Sequence, residues 1–122
     1  MNRKVSVAPM MDCTDRHERF FLRLISKNTL LYTEMIVDEA INRGNKKKLL
    51  EFNINEKPVA LQLGGSSPQL LAEATKIGED FGYDEINLNL GCPSKKVEKN
   101  KFGACLMKEP NLVADCLIKM QA

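Results

Sequence analysis

The chain is 122 residues long, one domain's worth, with 43% hydrophobic and 28% charged residues, an ordinary globular composition that argues against disorder. Eighteen Lys and Arg against sixteen Asp and Glu leave a net charge of only +2, which excludes a histone-like or tail-driven nucleic-acid binder but not a local basic patch. No apolar run approaches the ~18 residues of a membrane-spanning helix, and the opening Met-Asn-Arg-Lys-Val-Ser-Val-Ala-Pro-Met reaches Asp12 too soon for a signal peptide. The expectation is a soluble, cytoplasmic chain without a membrane partner.

Val5–Met10 reads as a first strand closed by Pro9, and Thr14 or Asp12 as the cap of a helix running through Phe20, Phe21, Leu24 and Ile25. Leu30–Met35 is the second strand, followed by a polar, basic interruption from Asn42 to Lys48. Pro58–Leu63 is the third, stopped by Gly64-Gly65; Ser66-Ser67-Pro68 then opens a helix with serine as cap and proline at its first position. Leu70, Ala74, Ile77 and Phe81 give that helix an apolar face, and Gly82 stands where a C-terminal cap belongs. Glu85–Leu90 is the fourth strand, ending in Gly91-Cys92-Pro93, and a last helical pattern places Leu112, Val113, Cys116, Leu117 and Met120 on one face.

Four strand–helix units predict α/β architecture with parallel strands, either a doubly wound open sheet or a barrel. No Gly-x-Gly-x-x-Gly follows the first strand, which counts against a dinucleotide-binding open sheet. A (β/α)8 TIM barrel needs about 250 residues and eight units, so the expectation is the amino-terminal half of such a barrel, belonging to a larger protein.

In parallel β/α folds, functional groups gather at the carboxyl ends of the strands. Asn87 and Asn89 share a strand face, and their amides need polar partners there, from a ligand or from a structural network. Cys92, in a turn at a strand end, is open to three readings: a buried small hydrophobe, a nucleophile, or a proton donor. A nucleophile needs a base, and the only histidine, His17, lies in a different loop. An ordinary thiol, with a pKa of about 8.5, stays protonated at neutral pH and needs no help to donate. Cysteines 13, 92, 105 and 116 form no Cys-x-x-Cys and have one histidine among them, so neither a metal site nor disulfides are expected.

The segments Val7-Ala8-Pro9-Met10-Met11-Asp12-Cys13-Thr14-Asp15-Arg16-His17, Tyr32-Thr33-Glu34-Met35, Val59-Ala60-Leu61-Gln62-Leu63-Gly64-Gly65, Glu85-Ile86-Asn87-Leu88-Asn89-Leu90-Gly91-Cys92-Pro93-Ser94 and Phe102-Gly103-Ala104-Cys105-Leu106-Met107 follow one another in a pattern that resembles the tRNA-dihydrouridine synthases, the A-type branch in particular. The resemblance implies an FMN-dependent barrel that reduces the C5–C6 bond of D-loop uridines in tRNA, with NADPH as reductant. It further implies that Pro9, Met10 and Met11 lie against the flavin, that Gln62 hydrogen-bonds its ring, that Asn89 contacts the substrate nucleotide and that Cys92 is the catalytic proton donor. Hydride arriving at C6 leaves charge at C5, and a thiol across the base can protonate it. The target uridine has to leave its stack to enter such a site. Cys13 departs from the family, which often carries tryptophan there, and has no assigned role.

Lys95 and Lys96, with Lys99 and Lys101, crowd the loop beside Cys92, where phosphate contacts to tRNA are expected. The Lys46–Lys48 run is weaker evidence for such contacts. Cys105 and Cys116 read as packing residues, His17 as a cap or surface group, and Glu34 as either a site residue or a lysine's partner. The resemblance also places a cofactor-holding lysine and histidine, and a helical tRNA-binding domain, outside these residues. Two alternatives stand beside this reading: a flavin-dependent oxidoreductase acting on a free pyrimidine, and an inactive truncated fragment whose open sheet edges favour self-association.

Overall fold

The structure is a computed structural model that describes residues 2–122. Strands β1 (Ser6–Val7), β2 (Leu30–Val37), β3 (Val59–Gly64) and β4 (Glu85–Leu88) form one parallel sheet in the order β1-β2-β3-β4. Every neighbour in space is also the next strand in sequence. A doubly wound sheet reverses its strand order at a switch point, and no reversal occurs among the described residues.

The strand register pairs Leu31 with Val59, Leu61 with Ile86, and Gln62 with both Met35 and Asn87, so side-chain alternation gives the sheet two unlike faces. On the outer face Val59, Leu61 and Leu63 are fully buried with Leu71, Ala74, Ile41, Leu50 and Cys116. Each such leucine contributes about 2 kcal/mol of transfer free energy, so this face holds the helices on. The inner face carries Tyr32, Gln62, Glu85 and Asn87. At its amino end Glu85 accepts from the Tyr32 hydroxyl at 3.2 Å and pairs with Arg3.

Between the strands run α1 (Arg16–Ile25), α2 (Asp38–Arg43), α3 (Lys46–Leu50), α4 (Pro68–Phe81), α5 (Lys95–Lys99) and α6 (Pro110–Gln121), with 3-10 turns at Ile54–Glu56 and Gly103–Lys108. Helix α4 begins as its sequence predicts: the Ser67 side chain accepts from the Leu70 N–H, Pro68 opens the first turn, and Gly82 closes the helix at φ +96°. Its buried line is Leu71, Ala74 and Gly78, with Leu70, Ile77 and Phe81 only half buried, and α6 packs against the helix.

Several expectations are corrected. The first strand is only Ser6–Val7, so Pro9 to Met11 belong to a loop; β2 runs on to Val37, and β4 stops at Leu88. Helix α1 is capped by Asp15, whose Oδ1 accepts the Glu18 N–H at 2.8 Å, rather than by Asp12 or Thr14. Thr14 instead closes the preceding loop, its hydroxyl bonding both the N–H and the C=O of Met10. The basic interruption from Asn42 to Lys48 folds as α2 and α3, anchored by the buried Ile41 and Leu50, with Asn45 capping α3. Leu117 lies exposed on α6 beside the buried Cys116.

Helix α1 buries its charged side rather than its apolar one. Phe21, Leu24 and Ile25 are 60%, 72% and 69% exposed, while Arg19 and Arg23 are buried. Arg19 Nε donates to Glu56 Oε1 at 2.7 Å in an ion pair closed off from solvent, and Arg23 donates to the carbonyls of Ser26, Thr29, Glu56 and Pro58. Guanidinium forks thus tie the helix to the starts of β2 and β3, and the apolar side is left outward.

Candidate active site

The polar groups of the inner face converge toward the carboxyl ends of β3 and β4. Gln62, buried on β3, donates from Nε2 to Asn87 Oδ1 at 2.8 Å and accepts at Oε1 from Asn89 Nδ2 at 3.0 Å. Asn89 then turns its own Oδ1 outward, accepting the backbone N–H of Gly91 at 3.2 Å and of Cys92 at 3.0 Å. The amides that the strand alternation leaves in need of partners therefore find them in one another. The chain of bonds runs from the middle of the sheet to the backbone of Cys92.

Cys92 is half buried, packed against the small cluster of Val97, Phe102 and Leu106 above the strand ends. Its carbonyl accepts the Ala104 N–H at 3.0 Å. That closure needs a glycine at 103, which takes φ +72°; a Cβ there would meet Val97 Cγ1 at 2.5 Å and the Cys92 carbonyl oxygen at 2.7 Å. The turn carrying the thiol is thus held from two sides, by the Asn89 amide below and by the Gly103 loop beside it.

The β1 loop stands across from this turn. Met10 and Met11 are exposed and Pro9 is half buried. The Met10 carbonyl accepts the N–H groups of Cys13 and Thr14, and Asp12, at φ +63°, donates its N–H to Glu34 Oε2 at 2.6 Å. Glu34 thus fastens the β1 loop to the end of β2. Sequence reading left this residue open between a site role and a lysine partner; its position at a strand end, in Tyr32-Thr33-Glu34-Met35, was the available signal. Met11, Met35, Asp38, Gly65, Lys96 and Phe102 contribute to the wall of a cavity of about 330 Å³, which brings loops from all four strand ends together.

The description Dihydrouridine synthase (Dus) belongs to a family model that matches residues 6–122. The chain belongs to the dihydrouridine synthase family. Proteins named tRNA-dihydrouridine(20/20a) synthase are 63% identical to it over 117 residues in Synechocystis sp., 59% over 118 in Vibrio vulnificus and 55% over 120 in Pseudomonas aeruginosa. These matches cover 96%, 97% and 98% of this chain but 35%, 36% and 36% of the relatives, so the chain spans about a third of the length of the curated relatives it matches.

In this dihydrouridine synthase chain, Gln62, Asn89 and Cys92 form one hydrogen-bonded unit, whereas Met11 and Lys96 meet only across the cavity. Lys95 is exposed on α5 and does not line that cavity. His17 is exposed on the first turn of α1, along an open groove that also holds Arg16, Lys47 and Lys48. Cys13 is exposed, Cys105 is half buried with its thiol on the Phe102 carbonyl, and Cys116 is core. Among the described residues no His, Cys, Asp and Glu side chains gather as a metal-holding group, and no helix is long and apolar enough to cross a membrane.

Proposed function

We propose that the chain is the amino-terminal part of the catalytic domain of a tRNA-dihydrouridine synthase, which reduces D-loop uridines to 5,6-dihydrouridine. FMN is the proposed cofactor, NADPH the reductant and the cytoplasm the place of action. The observation that carries this reading is the bond sequence from Gln62 through Asn89 to the Cys92 turn, in a chain whose relatives are named for this reaction. In the same proposal, further βα units continue the sheet into a TIM barrel, and a helical tRNA-binding domain lies outside residues 1–122. The sequential parallel order, the unpaired outer edges of β1 and β4 and the outward apolar side of α1 support it. By themselves, these 122 residues are expected to be inactive and to hold FMN weakly at most.

The residues suit a flavin. Gln62 uses one amide proton and one acceptor position internally, which leaves a second donor and a second acceptor for the edge of a heteroaromatic ring. Pro9, Met10 and Met11 offer apolar surface and loop backbone beside it. FMN, when bound, supplies the hydride. This chain's own part is geometric and protic: Asn89 fixes the Cys92 turn and contacts the nucleotide, the Val97–Phe102–Leu106 cluster backs the thiol and excludes water, and Cys92 Sγ gives its proton to C5 of the base. Lys95 and Lys96 contact tRNA phosphates, positioning the RNA without reading its sequence.

Cys92→Ala in the full-length protein tests this reading. Dihydrouridine formation in tRNA, read by mass spectrometry of nucleosides, should fall by about 10²-fold or more, with visible flavin absorbance retained. Normal turnover by the variant overturns the role of Cys92.

A further inference from the structure

Strand β2 carries an irregularity beside the site that the chemistry proposed above does not call on. It pairs Tyr32 with Ala60 but Met35 with Gln62, so Thr33 and Glu34 together stand opposite the single Leu61 of β3. Bulges are rare in parallel sheets, and next to functional sites they re-aim a side chain. The Thr33 hydroxyl fills the gap in the ladder. It accepts the Gln62 N–H at 3.1 Å and donates to the Glu34 carbonyl at 2.7 Å. Buried and used as both acceptor and donor, Thr33 ties the bulge to the backbone of Gln62.

Glu34, the other bulged residue, is half buried, and its carboxylate reaches the β1 loop. Other bonds of that loop are local: the Met10 carbonyl accepts from Cys13 and Thr14, and the Thr14 hydroxyl accepts the Met10 N–H at 3.1 Å. The Asp12 N–H instead leaves the loop, donating to Glu34 Oε2 at 2.6 Å. Asp12 holds φ +63°, a conformation uncommon outside glycine that persists where the surroundings hold it. A hydrogen bond to a carboxylate is about twice as strong as one between neutral groups. One bulge therefore reaches two places at once. Thr33 holds the strand segment that carries the Gln62 amide, and Glu34 holds the loop that carries Pro9, Met10 and Met11.

We propose that Glu34 is a positioning residue for the cofactor. Through the Asp12 N–H it sets the Pro9–Met11 loop at a fixed spacing from the Gln62 amide. The apolar surface offered to the face of a flavin ring and the amide offered to its edge are then aligned before the ring arrives. Glu34 acts through the loop rather than by contact with the ring. The inference rests on the flavin reading given above and adds what keeps its two contacts in register. A loop ordered in advance raises affinity, because binding no longer bears the cost of ordering it.

The test uses the full-length protein, stripped of flavin and titrated with FMN, with quenching of flavin fluorescence as the readout. Glu34→Ala should weaken FMN binding by about tenfold or more, the loss expected for a hydrogen bond to a charged group. Glu34→Gln keeps an acceptor for the Asp12 N–H and should recover most of that loss. At saturating FMN the visible absorption band of Glu34→Ala should be displaced, since the loop no longer keeps its place on the ring. A variant that was merely less stable would lose melting temperature and keep the band. In flavin-free wild-type protein, hydrogen exchange should find the Asp12 amide protected, and Glu34→Ala should release it while strand β3 stays protected. FMN binding unchanged by Glu34→Ala, equal losses in the alanine and glutamine variants, or fast exchange at Asp12 in the wild type each overturn the proposal. Wild-type protein that takes no flavin overturns the enzymatic reading and this inference together, whereas tight binding that survives Glu34→Ala overturns this inference alone.

Discussion

Helices α4 and α1 each follow a parallel strand and return the chain to the next one, yet they are held in opposite ways. Helix α4 puts Leu71 and Ala74 against the sheet and is capped at both ends by its own neighbours in sequence. Helix α1 puts Arg19 and Arg23 inward and shows Phe21, Leu24 and Ile25 to solvent. One helix is held by apolar burial. The other is located by directional polar bonds, with its apolar side facing solvent. The difference teaches that guanidinium forks can fix a helix in position while its apolar surface stays outward.

The largest effect should come from breaking the α1 anchor. Arg19→Ala leaves Glu56 buried without its partner and should cost about 3–5 kcal/mol, read by urea unfolding, at least as much as the ~2–5 kcal/mol expected of Leu71→Ala on the α4 side. Replacing Arg19 and Glu56 together with Met and Leu should recover most of that loss, since apolar residues of similar volume fill a buried ion-pair site well. If the double replacement is no more stable than Arg19→Ala, the anchor is not acting as an ion pair.

Gly103→Ala comes next. The left-handed backbone alone should cost about 1–2 kcal/mol, and the contact with the Cys92 carbonyl should move the thiol. The expected result is a fall in dihydrouridine formation larger than the loss of stability explains; unchanged turnover would show that the turn tolerates displacement.

A third prediction concerns Asp38 and has the opposite sign. Burial raises its carboxyl pKa in the folded chain above the unfolded value, so the folded state holds the proton more tightly. Stability from this group is then present below the unfolded value of about 3.9 and is lost as pH rises through the folded pKa. Asp38→Asn should therefore raise the melting temperature at pH 7 and flatten this part of the pH profile. Equal melting temperatures at pH 7 would remove the cause assigned to the shift. The smallest effect belongs to the outward side of α1: Phe21→Ser and Leu24→Ser should change stability by no more than about 0.5 kcal/mol but reduce self-association of the isolated chain in sedimentation.

What could be read in the sequence follows the reach of each interaction. Helix α4 was legible because Ser67, Pro68 and Gly82 act on their immediate neighbours, and the four strands were legible from apolar runs with punctuation. Helices α2 and α3 were not, since five or six residues rich in charge carry little pattern and owe their shape to Ile41 and Leu50 reaching the core. The inward face of α1 was not legible, since Glu56, the partner that draws Arg19 and Arg23 inward, lies more than thirty positions away. In the candidate site, the turn at Cys92 and the shared face of Asn87 and Asn89 were visible. The roles of Asn89 Oδ1 on the Cys92 N–H and of Glu34 on the Asp12 N–H depend on which loops meet, and spacing along the chain does not carry that.

The strand order has a consequence for how such a chain is made. Each pairing in the sheet joins residues 24 to 28 positions apart, so every closure spans a similar, modest length of chain. Among these four strands, each one leaving the ribosome after the first finds the edge it needs already finished. Assembly can proceed by accretion, one βα unit at a time, with the growing edge always the most recent one.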